Sequence, residues 1–200
     1  MLYNFNKRSF FFLTFIIVLL IFSPSKTFAK KSEKFLGDNN AKITIIEYAS
    51  MTCDHCANFH KNIFPEIYEK YIQTGKVKFI FRDFPLDKQA LFAAILANCA
   101  PKEKYFDFVK LIFNTTEKWI SVEDEFLKKL KNIGKMGGLS NDQIESCFRD
   151  ENMVDLAINS RSNGEKKFNI TSTPSFIING KKYSSMTFEQ FEKVLDNLIN

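Results

Sequence analysis

The sequence predicts one α/β domain interrupted by a long helical insertion, and three observations predict it. A β-branched run, an amphipathic helix and a second strand-like run follow one another between residues 43 and 86. About 80 residues with only helical patterning come next. The chain then closes with a hairpin signal and a final amphipathic helix. Two hundred residues with 45% apolar content can bury one core, but scarcely two.

Taken in order, residues Lys30 to Asn40 are polar, end in Gly-Asp-Asn-Asn and show no periodicity, so a loose lead-in is expected. ITIIEYAS, from Ile43, is nearly continuous and β-branched, as in a strand buried on both faces. Next, ANFHKNIFPEIYEKYIQTG carries Phe59, Ile63, Ile67 and Tyr71 at spacings of four, the signature of a helix, with Pro65 as a kink and Gly75 as its end. In KVKFIFRDFPL, Val77, Phe79 and Phe81 alternate with more polar positions before Pro85. A connection of this length predicts a right-handed crossover between two parallel strands.

From Asp87 to about Lys167 the segments KQALFAAILANCA, KYFDFVKLIFN, VEDEFLKKLKNIGKMG and NDQIESCFRD with its continuation read as helices. Ser121 with Asp124, and Ser140 with Gln143, place a capping residue three positions before an acid or amide partner. After Gly164, PSFIING and KKYSS flank an Asn179-Gly180 hairpin turn. TFEQFEKVLDNLI then sets Phe188, Phe191, Val194, Leu195 and Leu198 on one face of a terminal helix. The phenylalanines Phe106, Phe113, Phe126 and Phe148 read as core, and Trp119 as a loop residue that either lies near the active face or does not.

The first 29 residues have the zones of a signal peptide: basic Lys7 and Arg8, an apolar run from Phe10 to Phe22, and a polar tail with small residues at Thr27 and Ala29. An uncleaved anchor is the alternative, although a bilayer span needs about 20 apolar residues. Either way the domain is expected to be exported, to the periplasm. Without this segment, which holds three basic residues and no acid, the formal charge of +5 falls to 5 − 3 = +2. That balance argues against nucleic acid as a partner.

Export changes the reading of the four cysteines, because thiols outside the cytosol pair unless function keeps them reduced. Of the three possible pairings, the sequence favours Cys53 with Cys56, three apart, and Cys99 with Cys147, 48 apart. Two buried free thiols are the alternative for the second pair. Cys53-Asp54-His55-Cys56 sits where a strand hands over to a helix, so the positive end of the helix dipole would stabilise a Cys53 thiolate, the reactive species. Cys56, one turn further in, is placed to resolve a mixed disulfide. His55 offers a positive charge or a hydrogen bond beside the sulfur. Ala57 follows the second cysteine where c-type haem attachment requires His. Zinc would need two further ligands, and His55 and His60 are the only histidines.

The run IIEYASMTCDHC with TSTPSF far downstream resembles the DsbA-like branch of the thioredoxin superfamily, the periplasmic thiol:disulfide oxidoreductases. The resemblance implies a thioredoxin fold with an inserted helical domain. It divides the chain into a signal peptide (1–29), a first fold segment with the dithiol (30–86), the insertion (87–167) and a second fold segment (168–200). It also implies that Glu47, six before Cys53, is a buried acid accepting the proton of Cys56; an outward, solvated Glu47 on an edge strand is the alternative. Thr173-Pro174 matches the family's cis-proline loop, which presents backbone to a substrate. A Cys99–Cys147 bridge resembles that of some alphaproteobacterial members. Asp54 stands where the strongest oxidants carry proline, and its charge should oppose a thiolate at Cys53, giving a milder oxidant.

The activity implied is insertion of disulfides into reduced exported proteins, with no cofactor beyond the Cys53–Cys56 disulfide, no metal, and reoxidation by a membrane quinone-linked protein of the DsbB type. A monomer is expected, because no dimerisation domain is visible. An isomerase or reductase is the alternative within this chemistry, and a copper or zinc module using Cys53, Cys56 and a histidine is the alternative outside it.

Overall fold

The computed structural model describes residues 33–122 and 125–200. The expected signal peptide and Asp124, half of one expected helix cap, lie outside the described residues. A four-stranded sheet in the order β2-β1-β3-β4 forms the centre. Its strands are β1 (Ile43–Ala49), β2 (Val77–Asp83), β3 (Ser175–Ile178) and β4 (Lys181–Tyr183). β1 runs parallel to β2 and antiparallel to β3, and β3 pairs antiparallel with β4 through the Asn179-Gly180 turn. Both turn residues have positive φ, 45° and 86°, which Asn and Gly tolerate. β1 is therefore an inner strand.

Strand alternation divides β1 between two environments. Ile43, Ile45 and Ala49 join the main core, whereas Tyr48 joins a smaller cluster with Phe84, Ile170 and Ile177 on the other face. Glu47 shares its parity with the first set. It pairs in register with Phe81 of β2 and Phe176 of β3, and is fully buried.

The helical stretch α1 (54–72) covers that core face and is not a uniform α-helix. Two π-helical turns, Phe59–Ile63 and Tyr68–Ile72, alternate with α-helical turns Asp54–Asn58 and Phe64–Ile67. In the first, the Phe64 N–H reaches back five residues to the Phe59 carbonyl. Pro65 lacks the N–H that an α-helical ladder would need next, so the expected kink takes the form of a π-turn. The widened turn lets the consecutive residues Phe59 and His60 both face inward.

Between β2 and β3 lie α2 (Lys88–Cys99), α3 (Tyr105–Asn114), α4 (Thr116–Trp119), α5 (Glu125–Met136), α6 (Asn141–Phe148) and α7 (Glu151–Phe168). The segment beginning at Asn141 is two helices. α6 carries the Ser140/Gln143 capping box, and Asp150 caps α7. α7 runs through Gly164 and ends at Asn169 in the left-handed conformation, later than the sequence suggested. A side chain has no room at Gly164, because α7 packs there on Tyr48: a Cβ would stand 2.7 Å from that ring. The last helix of the 87–167 segment thus lies against the sheet.

Cys99, at the end of α2, and Cys147, in the last turn of α6, are joined by a disulfide with a Cα–Cα distance of 6.1 Å. Trp119 is helical, not a loop residue. It ends α4, is fully buried, and donates its indole N–H to the Ile112 carbonyl at 3.0 Å. α8 (Phe188–Ile199), with its own Thr187/Gln190 capping box, buries Phe191 and Leu195, and Asp196 accepts a hydrogen bond from the Tyr71 hydroxyl at 2.8 Å.

Nor is the lead-in loose from residue 33 onward. Leu36 exchanges two backbone hydrogen bonds of 2.9 Å with Phe79 at the edge of β2, Glu33 pairs with Arg82, and Lys34 donates to Asn98. Asn98 in turn donates to Asp83, whose carboxyl is pushed up to about 6 by burial despite that hydrogen bond and the charges of Lys34 and Arg82. These polar contacts are far apart in sequence, so local pattern does not reveal them.

Candidate functional site: a dithiol at a helix N-terminus

Cys53 is the N-cap of α1, with extended backbone (φ −85°, ψ 120°), and its carbonyl accepts from the Ala57 N–H at 2.9 Å. Its side chain is half-buried and its thiol donates to the Thr173 carbonyl at 3.3 Å. The Thr173-Pro174 peptide is cis. It brings the loop before β3 against the first cysteine, 120 residues away in sequence. Ser175 steadies that loop by donating to the Ser172 carbonyl at 2.8 Å.

The two thiols are pushed in opposite directions. Cys53 is lowered from 9.0 to about 5. The hydrogen bond from Cys56 is the main cause; partial burial opposes it, and the Thr173 hydroxyl and the N–H groups of Cys56 and His55 add to it. The Thr173 hydroxyl is buried and has no partner beside the neutral thiol, so the thiolate is the acceptor that would satisfy it. Cys56, fully buried, is pushed far up by desolvation, by its role as donor to Cys53 and by the charge of Glu47. One sulfur is thus prepared to be a thiolate near neutral pH and the other to hold its proton.

Glu47 is fully buried, as its strand parity requires, and its charge acts on Cys56. One carboxylate oxygen is 2.8 Å from His60 Nε2, and the other is buried without a partner. His60 itself is buried and stacks on Phe113 at 4.3 Å, with 11° between the rings. Phe113 therefore does more than fill the core. The sequence pattern offers His60 only as a possible metal ligand; its place seven residues after Cys53 on a core-facing helix is the signal that points to this contact. Among the described residues no cluster of His, Cys, Asp or Glu could hold a metal ion.

His55 and Asp54 are exposed. His55 acts on Cys53 through its backbone N–H. Two further residues tie the dithiol loop to the insertion. The Thr52 hydroxyl donates to Asp87 at 2.7 Å, and Asp87 caps α2 by accepting from the Ala90 N–H at 2.8 Å.

A sheet of this order, with a dithiol at the first helix N-terminus facing a cis-proline loop, defines the class of thioredoxin-fold dithiol proteins. The thioredoxin family model matches residues 29–197. The chain is 39% identical to alpha-DsbA1 of Wolbachia pipientis, with a TM-score of 0.79 over 84% of this chain and 92% of that one. It is 32% identical over 170 residues to a putative protein-disulfide oxidoreductase of Rickettsia bellii, and 30% identical to that of Rickettsia prowazekii. These matches cover 84% of this chain but only 65% and 62% of those two relatives. The chain belongs to the thioredoxin family, in its DsbA-like branch.

Proposed function

We propose that this protein is a thiol:disulfide oxidoreductase that introduces disulfide bonds into exported proteins. The observation that carries this reading is the opposed preparation of the two sulfurs, Cys53 low and half-exposed, Cys56 high and buried. Stabilising the thiolate stabilises the reduced form relative to the disulfide, and a disulfide whose reduced form is favoured is an oxidant.

Starting from the Cys53–Cys56 disulfide, a substrate thiolate attacks Cys53 Sγ, forming a mixed disulfide, and Cys56 leaves and takes up a proton. A second substrate thiolate then attacks the substrate's own sulfur in that mixed disulfide. The substrate disulfide forms and Cys53 departs as a stabilised thiolate. Thr173 and Pro174 present backbone to the extended substrate, Glu47 exchanges the proton of Cys56, and the His55 N–H helps to hold the Cys53 charge. Two electrons pass from the substrate to the protein, and reoxidation passes them on to a membrane quinone-linked protein of the DsbB type.

In this reading the chain works in the periplasm as a monomer, its export directed by residues 1–29. Residues 30–86 and 168–200 form the catalytic fold, residues 87–167 the insertion, and Cys99–Cys147 braces the insertion. Asp54 makes the protein a milder oxidant than relatives with proline at that position.

The test mixes the oxidised protein with a reduced peptide holding two cysteines and follows peptide disulfide by mass. Stoichiometric transfer is expected, with none from Cys53→Ser. Absence of transfer from the wild-type protein would overturn the reading.

A further inference from the structure

His60 is the side chain of this site that the exchange chemistry leaves unused. Every turn of the cycle moves a proton on or off Cys56, which is fully buried, and Glu47 beneath it is fully buried too. On the opposite side of the reaction stand Cys53, Thr173 and Pro174, the surface that a substrate covers while the mixed disulfide exists. A proton leaving by that face would have to pass the bound substrate.

The structure offers another way out. A cavity of about 410 Å³ lies between α1 and α3, walled by apolar Leu36, Phe64 and Phe106, and His60 lines it. Its lining includes neither cysteine nor any residue of the cis-proline loop. The His60 side chain keeps 4% exposure, whereas Glu47 keeps none. One ring nitrogen, Nε2, meets Glu47 at 2.8 Å, leaving Nδ1 as a second proton-bearing atom. Stacking on Phe113 fixes the plane in which the ring sits.

We propose that His60 is a positioning residue that acts through Glu47, passing the Cys56 proton between the buried carboxylate and the solvent of the α1–α3 cavity while substrate occupies the dithiol face. The inference rests on the exchange reading above. Resolution of the Cys53 mixed disulfide balances as follows: the Cys56 thiol gives its proton to Glu47, Glu47 gives one to His60, and His60 releases one to the cavity. The freed thiolate attacks Cys53 Sγ and expels the partner thiolate. Substrate oxidation runs the same protons inward. An imidazole suits the task because it can hold a proton on either of two separate ring nitrogens.

The charged and titratable groups facing His60 are Glu47 from β1, Asp107 and Lys110 from α3, and Glu69 and Tyr68 from α1 itself. β2 contributes the Phe81 ring, 5.8 Å from the imidazole between centroids. Glu47 is hydrogen-bonded to the imidazole at 2.8 Å; the others line the cavity around it.

The experiment reacts the reduced protein with glutathione disulfide, traps the Cys53–glutathione intermediate by acid quench, and measures its lifetime by mass across pH 5–8. His60→Gln, which keeps a hydrogen-bonding amide near Glu47 but carries no exchangeable charge, is expected to lengthen that lifetime about tenfold or more near neutral pH. The pH midpoint of Cys53 alkylation is expected to stay in place, showing the site intact. In His60→Ala, added imidazole is expected to enter the cavity and shorten the lifetime again. A wild-type lifetime and pH profile in His60→Gln would overturn the proposal, as would a His60→Ala defect that imidazole leaves unchanged. Because glutathione disulfide replaces the peptide substrate, failure of peptide oxidation would count against the proposed function alone.

Discussion

The Cys53 thiol lies 3.3 Å from the Thr173 carbonyl, across a gap of 120 residues in sequence, while the hydroxyl of the same threonine is buried without a partner. One residue therefore serves both protonation states: its carbonyl accepts from the thiol, and its hydroxyl is available to the thiolate.

Thr173→Val removes the hydroxyl and keeps the shape and the carbonyl. A hydrogen bond to a charged group contributes about 1.5–3 kcal/mol, and partial exposure of Cys53 reduces what is lost here. The midpoint of Cys53 ionisation, about 5 in the wild type, is expected to rise by about one unit. Thiolate absorbance in the ultraviolet, followed against pH, reads this directly. An unmoved midpoint would mean that the hydroxyl does not reach the sulfur.

The same lowered thiol makes the reduced protein's stability depend on pH. Cys53 ionises near 5 when folded and near 9 when unfolded. Its stabilising effect is full above about 9 and is lost as pH falls through about 5. Cys56, pushed up, remains a thiol throughout that window. The disulfide form has neither titration. The Tm of the reduced form minus that of the oxidised form is therefore expected to increase from pH 5 to about pH 8, and to level off near 9, where the unfolded Cys56 thiol also ionises. A difference that is flat with pH would contradict the lowered thiol.

Asp54 is exposed beside Cys53, so its repulsion of the thiolate is screened. Asp54→Pro is expected to make the Cys53–Cys56 couple more oxidising by no more than about 30 mV, the equivalent of roughly 1.4 kcal/mol in a two-electron couple. Equilibration with glutathione buffers measures it. No oxidising shift would remove Asp54 from the account of redox poise.

The Cys99–Cys147 bridge closes a loop with a sequence separation of 48, for which chain entropy predicts up to roughly 4 kcal/mol of stabilisation. The double variant Cys99→Ala with Cys147→Ala is expected to lower the Tm while leaving the Cys53 ionisation midpoint unchanged, because the bridge joins the end of α2 to α6, whereas the groups that lower Cys53 are Cys56, His55 and Thr173. Calorimetry and the absorbance titration together check both halves.

Much of this site is written locally. The strand at Ile43, the dithiol where strand becomes helix, the hairpin at Asn179-Gly180 and the terminal amphipathic helix all follow from periodicity and turn chemistry within a few residues. Strand parity even assigns Glu47 to the face of Ile45 and Ala49, once β1 is known to be covered on that side. The pairing of β1 between β2 and β3 excludes a solvated Glu47, and that pairing is a long-range property.

What the sequence by itself determined is the order and type of the elements and the position of two cysteines at a helix N-terminus, because each depends on side-chain spacing and capping between near neighbours. Only the tertiary structure decided which groups meet there. The cis Thr173-Pro174 loop reaches Cys53, His60 reaches Glu47 through a π-turn that a 3.6-residue period does not describe, and residues 33–36 dock on the edge of β2. In each case the partners lie on separate elements, and their contact comes from packing around one core.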